Sequence, residues 1–458
     1  MTDNTLKISP QNKELFGHPI GLYFLFFSEM WERFSYYGMR AILTLYMVHE
    51  HNAAFNPGLG WSTGRALSLY GTYTMLVYVA SIPGGYIADK FIGQKKAVLY
   101  GGLILIIGQS ILAISALWAF YSGLGLIILG VGLLKPNIST MVGGLYKKGD
   151  IRRDKGFTIF YIGINLGAFL SALIVGYVGE KIGWHYGFGL AGIGMTLGMI
   201  VYYMGMPYLA HVGNFIGKDG SDEDKAAMNK PLTSIEKDRV KVLLISFLIV
   251  IVFWGAFEQA GGLLNIYTQS KTDRMLDFTL PLIGSEVPAS WFQSLNALFI
   301  IFLGTAVASW WAKRKLKGKE ASSLFKMAIG TVIMGTGFFF MTAATAQFEA
   351  EGSSAMYWLV LAYLFHTVGE LSMSPVALSF ITKLAPVKYA SIMMGVYFAM
   401  TGLGNKVAGL LGESAEGLGD YAVFTGIAVF TIIFGILIVA LLKPLKRLTH
   451  GAEDDEHL

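Results

Sequence analysis

Twelve mostly apolar stretches of some twenty residues or more succeed one another along the chain, near 19–48, 66–88, 95–118, 120–146, 156–179, 186–208, 241–268, 290–312, 325–347, 356–383, 389–411 and 420–442. At about 1.5 Å of rise per residue, each is long enough to cross a hydrocarbon layer about 30 Å thick as a helix. The pattern predicts helices and not strands. Segment 1–18 is polar, and the first apolar stretch carries charges in its middle, so no cleavable leader is expected and the first helix stays in place.

The longest polar interval, 209–240, falls at the middle of the chain. It reads as a cytoplasmic linker between two six-helix bundles, 19–208 and 241–442, flanked by an N-terminal segment 1–18 and a tail 443–458. Within the linker, the spacing of Thr233 and Glu236 predicts the cap of a short helix. The acidic end 449–458 is expected to be disordered.

Composition agrees with the spans: 54% of the residues are hydrophobic and 14% charged, against about a quarter charged in globular proteins. With no cysteine there is no disulfide, thiol nucleophile or thiolate metal site, and the histidines form no close ligating pair. An even number of spans puts both termini on one side. Loops on that side hold most of the lysines and arginines, whereas the opposite side has Arg65, Lys181, Lys271 and Arg274. Both termini are therefore expected in the cytoplasm. The net charge of +5 is spread over these loops rather than gathered into a patch, so nucleic acid is not an expected partner.

Charges inside the spans are the main chemical signal, because a charge at the bilayer centre costs at least about 2.5 kcal/mol and must face protein, water or a partner. The first span places Glu29, Glu32, Arg33 and Arg40 on one broad helical face with Tyr36 and Tyr37. Lys135, followed by Pro136, is central to the fourth span, Glu258 to the seventh and Glu370 to the tenth. Lys326 and Lys406 lie nearer span ends and can snorkel. One reading is that the central ions pair simply to hold the bundle together. The other follows from a two-fold repeat, in which span one corresponds to seven and four to ten: the charges then form a midplane site. The first half brings cations and the second only carboxylates, which suits a zwitterion. His366, one turn from Glu370, is either a proton partner or an ordinary packed histidine.

Two motifs make the reading specific. The loop Gly85, Asp89, Lys90, Gly93, Lys95 and Lys96 resembles the conformational loop after helix two of the major facilitator superfamily. The run Glu29-Met-Trp-Glu32-Arg33-Phe-Ser-Tyr36-Tyr37-Gly38 resembles the ExxERFxYYG signature of the proton-dependent oligopeptide transporter family, and Phe160-Tyr161-Ile-Gly-Ile-Asn165-Leu-Gly167 resembles its second signature. Further matches are Lys135-Pro136-Asn137, Phe257-Glu258-Gln259, Trp291 to Asn296, and Gly369-Glu370 with Ser374-Pro375, so the resemblance spans nearly the whole chain.

The resemblance implies an all-α membrane protein of the major facilitator fold, with about 12 transmembrane helices. It implies a functional monomer in the bacterial inner membrane that imports dipeptides and tripeptides with protons, by alternating access and without a cofactor. By motif match, the peptide termini are clamped between Arg33 with Lys135 and Glu370. Tyr37, Tyr78, Asn165, Asn296, Ser374 and Tyr397 orient the peptide, and Glu29, Glu32, Arg33, Lys135 and Glu258 take part in proton coupling. The alternative keeps the fold and carries nitrate or another small charged solute. No enzyme motif is present: there is no metal triad, nucleophile elbow or phosphate loop. Departures from the family pattern are Tyr397 in place of a common tryptophan and Ala297 in place of a proline. Interval 209–240 is too short and polar for the two extra helices common in bacterial members, and 348–355 too short for the extracellular domain of animal ones.

Overall fold

The computed structural model describes residues 13–147, 150, 152–214, 231–281, 284–386 and 390–452. Its helices are α1 (Ile20–Val48), α2 (Thr63–Val79), the short α3 (Ser81–Ile87), α4 (Gln94–Leu112), α5 (Leu117–Gly144), α6 (Arg153–Lys181) and α7 (Trp184–Gly205). There follow α8 (Ser234–Phe257), α9 (Leu263–Lys271), α10 (Ser294–Leu316), α11 (Ser323–Glu351), α12 (Met356–Leu384), α13 (Ala390–Leu418), α14 (Asp420–Ala440) and the short α15 (Leu442–Arg447). Among the described residues, nine helical segments are long and apolar enough to cross a membrane by length and composition alone. The others expected from the sequence correspond to α1, which carries four internal charges, to α2 with α3, and to α13.

The helices form two compact units, Met1–Arg40 with Ala80–Asp219, and Ala41–Val79 with Gly220–Leu458. In the first unit, α1 lies in grooves cut by glycines. A Cβ on Gly167 of α6 would fall 2.2 Å from the Met30 carbonyl oxygen, and one on Gly194 of α7 would fall 2.5 Å from the Phe34 ring. Small residues are what allow such close helix packing in lipid, where burying apolar surface brings no gain. In the second unit α11 and α12 meet in the same way, Gly330 and Gly369 each lying against the other's carbonyl.

Four features differ from the sequence reading. Helix α8 ends at Phe257, and Glu258–Ala260 form a 3₁₀ turn before α9, so the seventh span is broken at Glu258 rather than continuous. The Thr233–Glu236 pair does form a reciprocal capping box, but it starts the 24-residue α8 rather than a short helix, so the end of the connecting interval, Ser234–Val240, is helical. Short strands occur where none were expected: Glu14–Leu15 pairs with His18–Pro19, Thr272–Asp273 with Ser354–Ala355, and Met275–Leu280 with Gly284–Glu286. They lie in connections, where backbone groups outside helices find partners in each other. Arg274 braces the last pair, 2.8 Å from Glu286 and donating to the Val287 carbonyl. The middle of the linker, 215–230, and the terminal 453–458 lie outside the described residues. Thr449–Ala452 do not fit the expected disorder, because they form a turn whose Thr449 carbonyl accepts from Arg239.

Candidate functional site

In the first unit, Glu29 and Arg33 stand one turn apart on α1, and Nε of Arg33 donates to Oε1 of Glu29 at 2.7 Å. The same nitrogen lies 3.0 Å from Oε2 of Glu32. That approach is an ion pair without hydrogen-bond alignment, since neither Glu32 oxygen has a hydrogen-bond partner among the described residues. All three side chains are buried, so one guanidinium is shared by two carboxylates shielded from water. Glycine packing explains the arrangement: Gly167 sits under the Cβ of Arg33 on the α6 side, and Gly198 of α7 sits against Trp31.

Around this cluster, Lys135 on α5 is half-buried and within electrostatic reach of Glu32. Tyr37 is half-buried beside Arg33, and the Arg40 guanidinium lies 5.4 Å from its ring centroid. Asn165 is buried on α6, and its amide donates to the Tyr161 carbonyl of its own helix. It braces that turn here rather than reaching outward.

The conformational loop packs on the helix that carries Lys135. A Cβ on Gly84 would fall 2.0 Å from the Gly132 carbonyl oxygen, and one on Gly85 would meet Pro136 at 4.0 Å. Asp89 and Lys90 occupy a π-helical turn, Ala88–Ile92, with the Lys90 ammonium 4.5 Å from the Tyr86 ring. Gly93 ends it at φ 79°, a left-handed backbone that favours glycine.

In the second unit, α10 and α12 bring Asn296 and Glu370 together: Nδ2 of Asn296 donates to Oε2 of Glu370 at 2.8 Å and to Oγ1 of Thr367 at 3.1 Å. Ser374 follows one turn after Glu370, and the Tyr397 phenol of α13 is within hydrogen-bonding reach of Ser374 and feels the Glu370 charge. Glu370, Asn296 and Ser374 are half-buried. Glu258 is buried at the break after α8 and accepts from the Tyr70 hydroxyl at 3.1 Å. Tyr78 packs on α13 beside Gly402. His366 stacks 4.4 Å from the Phe338 ring, and its Nε2 has no hydrogen-bond partner among the described residues.

The structure thus gathers Glu29, Glu32, Arg33, Tyr37 and Lys135 in one unit, and Asn296, Glu370, Ser374 and Tyr397 in the other. Thr367 and Tyr70 belong with these residues, and neither was assigned a role from the sequence. Their only signal was a hydroxyl at helical spacing, which many residues of an aromatic-rich chain share. No group of three side chains suited to a metal occurs among the described residues.

The model of the POT family matches residues 95–221 and 218–416. The chain is 33% identical to the peptide transporter YePEPT of Yersinia enterocolitica over 98% of both chains. It is also 33% identical to a di-/tripeptide transporter of Lactococcus lactis subsp. cremoris, covering 96% of this chain and 98% of the relative. A crystal structure of a peptide transporter POT in complex with sulfate superposes with a TM-score of 0.87 at 34% identity, over 96% of this chain and 98% of the other. A family match over more than half the chain, together with full-length relatives above 30% identity, makes this protein a member of the POT family, with the major facilitator fold: a membrane transporter and not an enzyme.

Proposed function

We propose that the protein imports dipeptides and tripeptides together with protons by alternating access, with both termini in the cytoplasm of a bacterial cell and the inner membrane as its site. The bodies that rock are 19–208 and 241–442, joined by 209–240, with 1–18 and 443–458 at the cytoplasmic ends. Relatives named as peptide and di-/tripeptide transporters, similar over nearly their whole length, support the cargo. In this reading Arg33 and Lys135 meet the peptide carboxylate and Glu370, steadied by Asn296, meets the amine. Half-buried Tyr37, Tyr78 and Ser374, together with the buried Tyr397, contact the peptide body. A site that fixes charged termini and leaves the middle to aromatic and apolar walls tolerates many side chains.

The observation that carries the coupling is Glu32, buried with no hydrogen-bond donor on either oxygen among the described residues while Arg33 is bonded to Glu29. A buried carboxylate in that position is satisfied by a proton, and protonating it weakens its hold on Arg33, which then turns to the peptide carboxylate. Glu258 at the break in the seventh span serves the gate, where broken helices place coupling groups in other transporters. Glu370 beside an amide donor disfavours a simple anion such as nitrate as cargo. The test is exchange against drive: Glu32→Gln should keep counterflow of a labelled dipeptide and lose accumulation under an inward proton gradient. Loss of both, or of neither, removes the coupling role.

A further inference from the structure

Lys406 sits within α13, in a span where a lysine is costly, and the site described above does not use it. Its ammonium donates to Thr72 Oγ1 of α2 at 2.8 Å and approaches the Ser68 carbonyl oxygen at 3.5 Å. The Thr72 hydroxyl donates in turn to that Ser68 carbonyl, at 2.9 Å, which leaves its lone pair for the lysine. Within one turn of this contact, Gly71 and Gly409 press backbone on backbone: a Cβ on either would fall within 2.8 Å of the other's Cα. Beyond them, the Gly64 amide donates to Oε2 of Glu416 at 2.8 Å. A groove of about 580 Å3 lined by Ser62, Arg65, Ser68, Thr72, Glu413 and Glu416 runs along this seam. Water in the groove can solvate the charges, which accounts for their tolerance in a span.

Two observations set this seam apart from ordinary helix packing. Residues 41–79 belong to the compact unit of 220–458, although α2 precedes the linker and belongs to the first bundle of the proposed rocking pair. Next to Lys406, the Asn405 side chain is 1% exposed, and neither its amide nitrogen nor its oxygen has a hydrogen-bond partner among the described residues. A buried amide without partners raises the energy of the closed seam, and the Lys406 and Glu416 bonds offset it. A seam balanced in this way holds and can still release.

We propose that Lys406 is a positioning residue for transport: it latches α2 onto α13, and release of this latch opens the carrier on the Ser62 side. The inference rests on the alternating-access reading. Because the chain has no cysteine, a single reporter suffices. Leu67 is buried in the seam, its side chain against Gly412 and Gly262, so Leu67→Cys reacts with an impermeant maleimide only when the seam parts. In intact cells, adding Lys406→Met or Thr72→Val should raise the labelling rate at least about fivefold, the lower end of the range for coupled two-state elements. Lys406→Arg, which keeps the charge and donors, should stay near the Leu67→Cys parent. Thermal midpoints in detergent and an exposed reporter at Met275→Cys, beside Arg274 on the outer side, identify variants that have merely unfolded, and Thr72→Val stands in if Lys406→Met is one of them. Unchanged labelling in folded Lys406→Met and Thr72→Val overturns the latch. Dipeptide uptake by the Leu67→Cys parent separates the two proposals: a parent that takes up no dipeptide, while its labelling still responds to Lys406→Met, keeps the latch and loses the peptide reading.

Discussion

Asn296 holds Glu370 through a 2.8 Å hydrogen bond from its amide to Oε2, and α10 and α12 are thereby joined at the carboxylate assigned to the peptide amine. If that carboxylate pairs with the amine, Glu370→Gln should weaken free-amine dipeptides by about 2–5 kcal/mol, the range for truncating one partner of a buried charge pair. An N-acetylated dipeptide, already a poor ligand, should lose far less. Competition for uptake measures both, and equal losses would show that Glu370 holds helices rather than substrate.

Arg33 makes the complementary case. Its planar guanidinium matches a carboxylate, so Arg33→Ala should penalise dipeptides with a free carboxylate more than their C-terminal amides. The same competition assay reads it. A uniform loss across both ligands would place Arg33 among the groups that keep α1 in position.

Glycine positions separate fold from mechanism. A side chain on Gly167 must push α1 away, because its Cβ would stand 2.2 Å from the Met30 carbonyl oxygen, whereas Gly85 meets Pro136 only at 4.0 Å. Gly167→Leu should therefore cost at least about 1–3 kcal/mol, the usual penalty of overpacking, and lower the thermal midpoint sharply. Gly85→Ala should leave the midpoint nearly unchanged. The reverse order would contradict the helix packing described above.

At the end of the chain, Lys446 of α15 lies 3.0 Å from Oε2 of Glu320 in the connection between α10 and α11. Burial alone would raise the Glu320 carboxyl, but hydrogen bonds from Ser322 and the Lys446 ammonium outweigh it and hold the group below its ordinary value of 4.5. A depressed carboxylate stabilises the fold at higher pH and loses that contribution as pH falls through the ordinary range and below. Glu320→Gln should thus lower stability near pH 7, by no more than about 1 kcal/mol for so exposed a pair. Thermal midpoints of parent and variant should converge on acidification, and a gap that widens would reverse the assigned sign.

Hydropathy made the spans legible, with ends displaced by up to about seven residues, since an apolar run of membrane length has few alternatives in lipid. The central charges were legible for the same reason: Glu29, Arg33, Lys135 and Glu370 stand out where ions are expensive. The break after Phe257 was not, because no proline marks it and Gly261-Gly262 was one glycine pair among 56 glycines. Tyr70 and Thr367 were hidden because a hydroxyl becomes a partner only once another helix places a carboxylate or amide beside it. Asn165 looked like a ligand by motif, yet its amide closes on its own helix, a competition between side chain and backbone that spacing does not reveal.

The most direct measurement is uptake of labelled dialanine into proteoliposomes containing the purified protein, with and without an inward proton gradient. Uptake should be concentrative with the gradient, collapse to equilibration when an uncoupler dissipates it, and be inhibited by other dipeptides but not by nitrate. Saturable accumulation that ignores the gradient, or none of dialanine while nitrate is carried, would contradict it.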